Sequence, residues 1–265
     1  PIAHRQLKER YGYCIAYVDT MAGSGVTKTR RAGDYFCGSC TGVVLSSRKK
    51  FPFDKIIAVE INPDKATALE ARLKQIDPNL NLSIYTKDIL IASSSIVKEI
   101  EQSCFSYIVI DPEGFEGVSW ASIGPLLKCN GDAMLTWFEM DAWRMRGAAL
   151  SDANSAEMTA MRLTELIGSE KWKTAYQPSD LTDMVINRVL QETNKGKAEW
   201  IDIEDNSGKH YKMILFVGRK AQSLAAEWKK HMEKRLGSSK GRNIGKLIDR
   251  KAGRIQDLRD YMPHD

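Results

Sequence analysis

Three acidic residues follow short apolar runs, and a glycine-rich turn accompanies the first of them. Asp19 and Glu60 end two of these runs, and Asp88 lies just beyond a third. The turn contains Gly23 and Gly25, where the absence of a side chain lets the backbone turn sharply and approach a ligand. A carboxylate at the second position can accept hydrogen bonds from both hydroxyls of a ribose, and one at the third can bind an adenine amino group. Together they predict a site for an adenosine-containing cofactor.

The glycine-rich turn lacks the features of two phosphate-binding motifs. The dinucleotide motif needs a third glycine three residues after Gly25, where this chain has Lys28. No Gly-Lys-Ser/Thr triplet of the P-loop type follows the turn. Glu60 alone would suit either NAD or an adenosine cofactor without phosphates, so an NAD-dependent oxidoreductase stays open as the weaker alternative.

A fourth candidate site is the segment Asp111-Pro112-Glu113-Gly114, which follows another apolar run. Pro112 fixes its own φ and Gly114 permits a tight turn, so the loop is expected to be rigid. In an open α/β sheet it would lie beside the first strand, at the switch point where ligands bind. Such a loop can direct Asp111 and nearby carbonyls at a substrate amino group. The alternative is a plain strand-to-helix turn.

The cysteines give no strong signal. Cys37 and Cys40 have redox or half-zinc-site spacing, but no second Cys or His pair completes a metal site. A loop before a helix capped by Ser39 is the favoured interpretation, with a redox role as the alternative. Five cysteines at irregular spacing do not indicate a disulfide framework, which favours a reducing, cytoplasmic location.

The elements that must position these residues form an alternating pattern. Helix-period residues follow the second apolar run at 65–73, which predicts a strand–helix alternation and a parallel sheet. The five predicted strands lie at 15–19, 56–60, 82–85, 107–111 and 133–138.

The last two strands of the sheet are predicted to be antiparallel, unlike the first five. Strand-like segments at 199–203 and 212–217 flank a strong turn signal at 205–208, and a helix around 184–191 precedes them. Five parallel strands followed by a hairpin predict an α/β, Rossmann-like methyltransferase fold for residues 1–218.

Residues 219–265 are predicted to form a basic helical extension. Leu224, Trp228, Met232 and Leu236 recur every four residues, and 237–241 breaks the helix before a second amphipathic segment from Ile244. Segment 219–254 carries twelve basic and three acidic residues, a local net charge of +9, whereas the rest of the chain sums to −4. This arm favours nucleic acid as a partner, although it could instead pack on the body with its charges in water. A protein partner is also left open.

The overall composition sets the class of protein. The chain has 265 residues, of which 43% are hydrophobic and 28% are charged, as in globular proteins. No apolar run approaches the roughly 20 residues that span a bilayer, so no membrane association is expected.

The motifs together resemble those of the three-Cys-motif partner proteins, which are S-adenosylmethionine-dependent methyltransferase-like proteins of prokaryotes. The resemblance covers roughly residues 10–218 and rests on four segments. These are the Asp-x-x-Ala-Gly-x-Gly turn, Gly38-Ser39, Val59-Glu60-Ile61-Asn62 and Ile110-Asp111-Pro112-x-Gly114. The chain has Met21 where the family usually has Phe, and Glu113 where it often has an aromatic residue. The Asp-Pro-x-Gly loop is also similar to that of tRNA guanine-N2 methyltransferases.

The resemblance implies a role for each matched residue. Asp19, Ala22, Gly23, Gly25, Glu60, Ile61 and Asp88 would surround S-adenosylmethionine, and Asp111, Pro112 and Gly114 would form the transfer site. The expected activity is methyl transfer to a nucleic-acid base or another amine, without a metal ion. The alternative is a non-catalytic nucleic-acid-binding or assembly protein that retains the fold.

Overall fold

The computed structural model describes residues 12, 14–28, 35–48, 52–101, 104–114, 118–152, 154–204 and 210–236. Strands β1 to β9 are Cys14–Asp19, Val26–Lys28, Tyr35–Cys37, Lys55–Val59, Leu82–Tyr85, Cys104–Ile110, Gly131–Trp137, Lys195–Glu204 and His210–Gly218. Helices α1 to α8 are Ser39–Ser47, Pro63–Ile76, Ile89–Glu101, Trp120–Lys128, Glu139–Ala149, Ala156–Ile167, Pro178–Glu192 and Gln222–Leu236.

The main sheet has seven strands in the order β5-β4-β1-β6-β7-β9-β8. The first five are parallel to one another, and β9 runs antiparallel to both β7 and β8. The order reverses between β1 and β6, because the chain first builds outward to β5 and then returns to the other side of β1. This is the Rossmann-like methyltransferase fold, and it confirms the predicted parallel sheet closed by an antiparallel hairpin.

The central strands are buried on both faces because helices cover both sides of the sheet. Successive residues of β1 enter different cores: Tyr17 packs with Leu69 and Leu73 of α2, whereas Val18 packs in the cluster that contains Leu126 of α4. Parallel strands covered in this way are expected to be almost continuously apolar. The sheet therefore gives the polar strand ends a rigid base.

Helix α2 begins only four residues after the last residue of β4, and local features fix its start. The side chain of Asn62 accepts hydrogen bonds from the backbone N–H groups of Asp64 and Lys65, and Pro63 occupies the first turn. Both features favour a helix start at this position. Residues 60–62 are consequently the whole connection between strand and helix, which fixes the backbone that carries Glu60.

Two parts of the fold were not expected from the sequence. A small antiparallel hairpin of β2 and β3 follows the glycine-rich turn. A helical pair, α5 and α6, lies between β7 and α7. The expected turn at 205–208 and the segments from 237 onward lie outside the described residues.

A disulfide bond joins Cys14 to Cys104. The irregular cysteine spacing predicts no disulfide framework, and this bond corrects that prediction. The two residues are 90 positions apart but are register partners at the start of β1 and β6. Their proximity arises from strand pairing, which cysteine spacing does not reveal.

Helix α8 packs against the closing hairpin. Ala225 is fully buried, and the ammonium of Lys229 lies 3.3 Å from a carboxylate oxygen of Glu199 on β8. The same ammonium lies 5.3 Å from the centre of the Trp200 ring. The described part of the extension thus contacts the sheet. The domain boundary expected after residue 218 stays a prediction. None of the helices within the described ranges is both long and apolar enough to cross a bilayer.

Candidate functional site

A cleft of about 890 Å³ opens at the carboxyl ends of the parallel strands. Its volume lies within the range of small-molecule sites. It lies where the strand order reverses, which is the usual position for ligands in open α/β sheets. The lining residues are Thr20, Met21, Gly23, Val59, Glu60, Ile61, Lys65, Lys87, Asp88, Ile89, Glu113, Gly114, Asp141, Arg144, Met145, Ala148, Thr159 and Arg162.

The two glycines of the turn face different surroundings. Gly23 lines the cleft with φ at 62°, and a Cβ placed there would meet no heavy atom within 4 Å. Gly25 has φ at 81°, and a Cβ there would lie 2.6 Å from Oγ1 of Thr41 and 2.9 Å from Cδ1 of Leu69. Gly23 thus leaves backbone open to a ligand, whereas Gly25 allows the turn to pack against α1 and α2.

Asp19 is fully buried and does not line the cleft. Its carboxylate accepts hydrogen bonds from the hydroxyl of Ser39, from the backbone N–H of Met21 at 3.2 Å and from the hydroxyl of Tyr17 at 3.4 Å. Burial raises the pKa of Asp19, although the hydrogen bonds from Ser39 and Met21 oppose this change. In this arrangement the side chain holds the turn from beneath.

Ala22 is also buried below the cleft. Its backbone N–H donates to the carbonyl of Val59 at 2.9 Å, which ties the turn to the end of β4. Together with Asp19, this bond fixes the turn between β1 and β4 and leaves Gly23 at the surface of the cleft.

Glu60 stands directly after β4 with only 8% of its surface exposed. Its Oε1 accepts the N–H of Asn62 at 2.8 Å, and within the described residues its Oε2 has no hydrogen-bond partner. Ile61 beside it is 64% exposed and gives the cleft an apolar rim. The site therefore contains a nearly buried carboxylate with one oxygen free to accept hydrogen bonds.

Asp88 lines the cleft after β5, the strand next to β4. Its Oδ1 accepts the N–H of Leu90 at 2.7 Å, and its carbonyl accepts N–H groups from Ile91 and Ala92. Asp88 therefore also caps α3, which fixes the direction of its side chain. A capping carboxylate keeps its second oxygen for a ligand.

The loop after β6 contributes a different carboxylate from the one expected. Glu113 and Gly114 line the cleft, whereas Asp111 is exposed outside the lining and Pro112 is buried. Asp111 nevertheless lies close enough to Asp19 for its charge to raise the pKa of that carboxyl. The motif gave the position of the loop, but the direction of each side chain depends on turn geometry.

Helices α5 and α6 form a wall of the cleft that the sequence analysis did not predict. Asp141, Arg144, Met145 and Ala148 come from α5, and Thr159 and Arg162 come from α6. The sequence signal for this wall is a group of charges after β7, which suits either binding of a polar substrate or capping of a helix: Glu139, Asp141, Arg144 and Arg146. Trp120, Trp137, Phe138 and Trp143 lie near the ends of β6 and β7 but outside the cleft lining. The indole N–H of Trp137 donates to the hydroxyl of Thr182 at 2.9 Å.

The cysteine pair lies beneath the turn. Helix α1 begins at Ser39 with Gly38 at the N-cap, and Ser39 bonds to Asp19 instead of capping the helix as expected. Burial raises the pKa of Cys37 and, more strongly, that of the buried Cys40, which Asp19 raises further. Both thiols are therefore held protonated, which disfavours the redox alternative. No group of three metal-ligating side chains occurs in the described ranges.

The N-cap residue of α1 bonds to the glycine-rich turn. Gly38 donates its N–H to the carbonyl of Gly25 at 2.8 Å, and β2 rather than a helix follows the turn directly. A dinucleotide site needs a helix amino terminus open to the pyrophosphate. This arrangement further weakens the NAD alternative.

Known structures resemble the chain at low sequence identity. The methyltransferase domain of bacterial CtHen1-CN matches 81% of this chain and 95% of its own, at 10% identity and a TM-score of 0.41. An O-methyltransferase from Bacillus cereus in complex with SAH matches 81% and 79%, at 10% identity and a TM-score of 0.42. EvdMO1 matches 82% of this chain, which spans 40% of that protein's length, at 10% identity and a TM-score of 0.42.

These matches concern the fold alone, and at TM-scores below 0.5 they carry no weight for activity. No protein-family model and no curated protein matches the chain. The resemblance to the three-Cys-motif partner proteins therefore stays a prediction, and the methyltransferase fold rests on the strand order.

Proposed function

We propose that the chain is an S-adenosylmethionine-dependent methyltransferase whose acceptor is a nucleic-acid base or another amine. The observation that carries this proposal is Glu60, a nearly buried carboxylate with a free oxygen at the end of β4. It faces the same cleft as the open backbone of Gly23. Carboxylates in this position suit the two hydroxyls of a ribose.

The other residues of the cleft fit the remaining parts of an adenosine cofactor. Asp88, which lines the cleft beyond Glu60, has an oxygen available for an adenine amino group. Ile61 and Ile89 provide apolar contacts beside it. Gly23 presents open backbone to the cleft, which leaves room for the methionine part.

The chemistry would need little from the protein beyond positioning. The bound cofactor supplies an activated methyl group, so alignment of the acceptor nitrogen with that group gives most of the rate. The loop at 111–114 is suited to hold the acceptor, with Glu113 and Gly114 facing the cleft. Asp111 would act on the acceptor only if the loop turned its side chain toward the cleft.

One observation favours the non-catalytic alternative. The carboxylate that the motif assigns to the acceptor, Asp111, does not line the cleft. A protein that retains the cofactor site without turnover would bind S-adenosylhomocysteine (SAH) and transfer no methyl group. Methyl transfer measured with radiolabelled cofactor and total RNA or DNA separates the two, because only an enzyme labels the nucleic acid.

Cofactor identity is tested by calorimetry with SAH and NAD. SAH is expected to bind and NAD is not. Glu60→Ala should weaken SAH binding by at least about tenfold, since each lost hydrogen bond to a charged group is worth about 1.5–3 kcal/mol. Glu70→Ala, an exposed carboxylate on the following helix α2, is the matched control and should bind SAH as the wild type does. Equal SAH affinity in both variants would remove Glu60 from the site.

A further inference from the structure

The two walls of the cleft carry cationic side chains that differ in position. Lys65 and Lys87 lie a few residues from Glu60 and Asp88, on the side assigned to adenosine. Arg144 and Arg162 lie on the opposite wall, formed by α5 and α6. The second pair is therefore placed beside the acceptor rather than beside the nucleoside.

The acidic side chains of the cleft are mostly engaged. Glu60 and Asp88 accept backbone N–H groups, and Asp141 pairs with Arg144 at 2.5 Å. Glu113 is the exception, since it makes no hydrogen bond or ion pair within the described residues. The cleft as a whole thus has four carboxylates and four cations, but the wall of α5 and α6 has only Asp141 against two arginines, a net charge of +1.

The cationic side chains are mostly free. Arg162, Lys65 and Lys87 make no ion pair with any part of the chain that the structure describes. Arg144 is paired only with Asp141, three residues away on the same helix, and its side chain is 73% exposed. Exposed pairs of this kind are worth at most about 1 kcal/mol, so a ligand can readily take the place of Asp141.

The cofactor does not use this charge. S-adenosylmethionine carries a sulfonium, an ammonium and one carboxylate, so its own net charge is positive. One carboxylate can engage one of the four cations. The net positive charge of the wall formed by α5 and α6 therefore suits an anionic acceptor.

We propose that Arg162 and Arg144 bind a phosphate group of the methyl acceptor. The proposal rests on the proposed function, because it assigns the acceptor half of that same cleft. Two guanidinium groups on neighbouring helices suit phosphate, which offers several acceptor oxygens in the geometry that the guanidinium fork matches. Exposed Met158 lies four residues before Arg162 on α6, on the same face of the helix, and offers apolar surface for the group attached to the phosphate.

The source of the phosphate, a free nucleotide or a polynucleotide, is resolved with three probes on the full chain. Uridine, uridine monophosphate and a short oligouridylate are titrated into the wild type and into Arg162→Gln and Arg144→Gln. Lys128→Gln removes an exposed cation on α4 that does not line the cleft, and it is the matched control. SAH binding is measured on all four proteins.

We expect Arg162→Gln to bind the phosphate-bearing probes about tenfold more weakly than the wild type and to bind SAH equally well. Lys128→Gln should bind both the probes and SAH as the wild type does. If the oligouridylate binds and its log affinity against log salt becomes shallower by about 0.7 in Arg162→Gln, the phosphate belongs to a polynucleotide. If uridine monophosphate binds as tightly as the oligouridylate and tighter than uridine, it belongs to a free nucleotide.

Three other results would overturn the phosphate-site proposal, and one would contradict the methyltransferase proposal alone. Equal affinities in Arg162→Gln, Arg144→Gln and Lys128→Gln would overturn it, as would no binding of any phosphate probe at millimolar concentration. Weaker SAH binding with unchanged probe binding would assign the arginines to the cofactor carboxylate and overturn it too. If SAH fails to bind the wild type while the probes still depend on Arg162, the phosphate site stands and the methyltransferase proposal fails.

Discussion

At the scale of single residues, Gly23 and Gly25 share a left-handed backbone but have different roles. Alanine in this conformation costs about 1 kcal/mol at either position. At Gly25 the new methyl would also press on buried Thr41 and Leu69, and overpacking adds about 1–3 kcal/mol. We therefore expect Gly25→Ala to lower the free energy of unfolding in urea clearly more than Gly23→Ala does.

The two substitutions should have the opposite order of effect on cofactor affinity, with Gly23→Ala the more damaging. A methyl at Gly23 points into open space beside the cleft, where the cofactor is proposed to lie. Folded Gly23→Ala should lose more SAH affinity in calorimetry than folded Gly25→Ala. The reverse order would place the ligand on the α1 side of the turn.

Asp19 gives a prediction about pH. Its pKa is raised in the folded protein, so on going from acid to neutral pH the unfolded chain loses this proton first and stability falls. Asparagine does not titrate and can still accept the N–H of Met21. The unfolding free energy of Asp19→Asn should therefore increase relative to that of the wild type as pH rises from about 4 toward 7.

Asp180 is the control for this prediction because its shift has the opposite sign. Its exposed carboxylate accepts the N–H groups of Tyr176 and Gln177, which lower its pKa. Its contribution is present above the unfolded pKa and is lost as pH falls through the folded pKa. Asp180→Asn should thus be less stable than the wild type at neutral pH, with the difference shrinking in acid. A pH dependence of the same sign in the two variants would contradict at least one of the two assignments.

The site residues show what the sequence could reveal. Each acid after a strand was placed at the correct end of the sheet, because apolar runs mark parallel strands and their carboxyl ends share one edge. Which acids face the cleft was not readable. Asp19 turns inward to Ser39 and Asp111 lies outside the lining, while Glu113 lines the cleft. The direction of a side chain in a turn depends on backbone dihedral angles that the motif does not fix.

At the scale of elements, Lys195 joins the closing hairpin to the central sheet. Its buried ammonium donates to the carbonyls of Cys129 and Gly131, at 2.9 and 2.7 Å, just beyond the end of α4. Burial lowers the pKa of Lys195 to about 8, although nearby Asp132 opposes the change. A cation at the end of a helix is electrostatically favourable, but its desolvation is costly.

This lysine should make stability increase with pH over a defined window. Between pH 8 and about 10.4 the unfolded chain holds the proton that the folded chain has released, so the unfolding free energy rises by about 1.4 kcal/mol for each pH unit. Lys195→Met lacks this titration. The unfolding free energy of the wild type minus that of Lys195→Met should increase over that range in urea titrations. A constant difference would mean that the ammonium stays charged when folded.

The elements themselves were largely predictable. Periodicity gave all seven strands of the main sheet and the helices around 65–73 and 184–191, because long apolar repeats leave few alternatives. The small β2–β3 hairpin and the α5–α6 wall were missed. Strands of three residues carry too little pattern, and the outer face of α5 is polar because it borders the cleft rather than a core.

At the scale of the whole molecule, the C-terminal extension divides into a packed helix and further basic sequence. Truncation after Gly218 removes α8 and uncovers the surface that Ala225 and Lys229 contact, so the melting temperature should fall. Truncation after Leu236 keeps that packing but removes half of the twelve basic residues of the arm. We expect it to retain the melting temperature and to lose nucleic-acid affinity.

Salt dependence checks that prediction. Each lost phosphate contact should make the log affinity for duplex DNA about 0.9 less steep against log salt. A truncation after Leu236 that binds duplex DNA with the full-length slope would show that the basic arm does not contact phosphate.

The Cys14–Cys104 bond turns the first part of the sheet into a covalent ring. The ring contains β1, β4 and β5 with the turn and acids assigned to the cofactor, while the acceptor wall lies outside it. A single protease cut anywhere between the two cysteines therefore opens the ring without releasing a fragment. The cut chain should keep its full-length mass apart from one added water, and separate into two pieces only after a reductant is added.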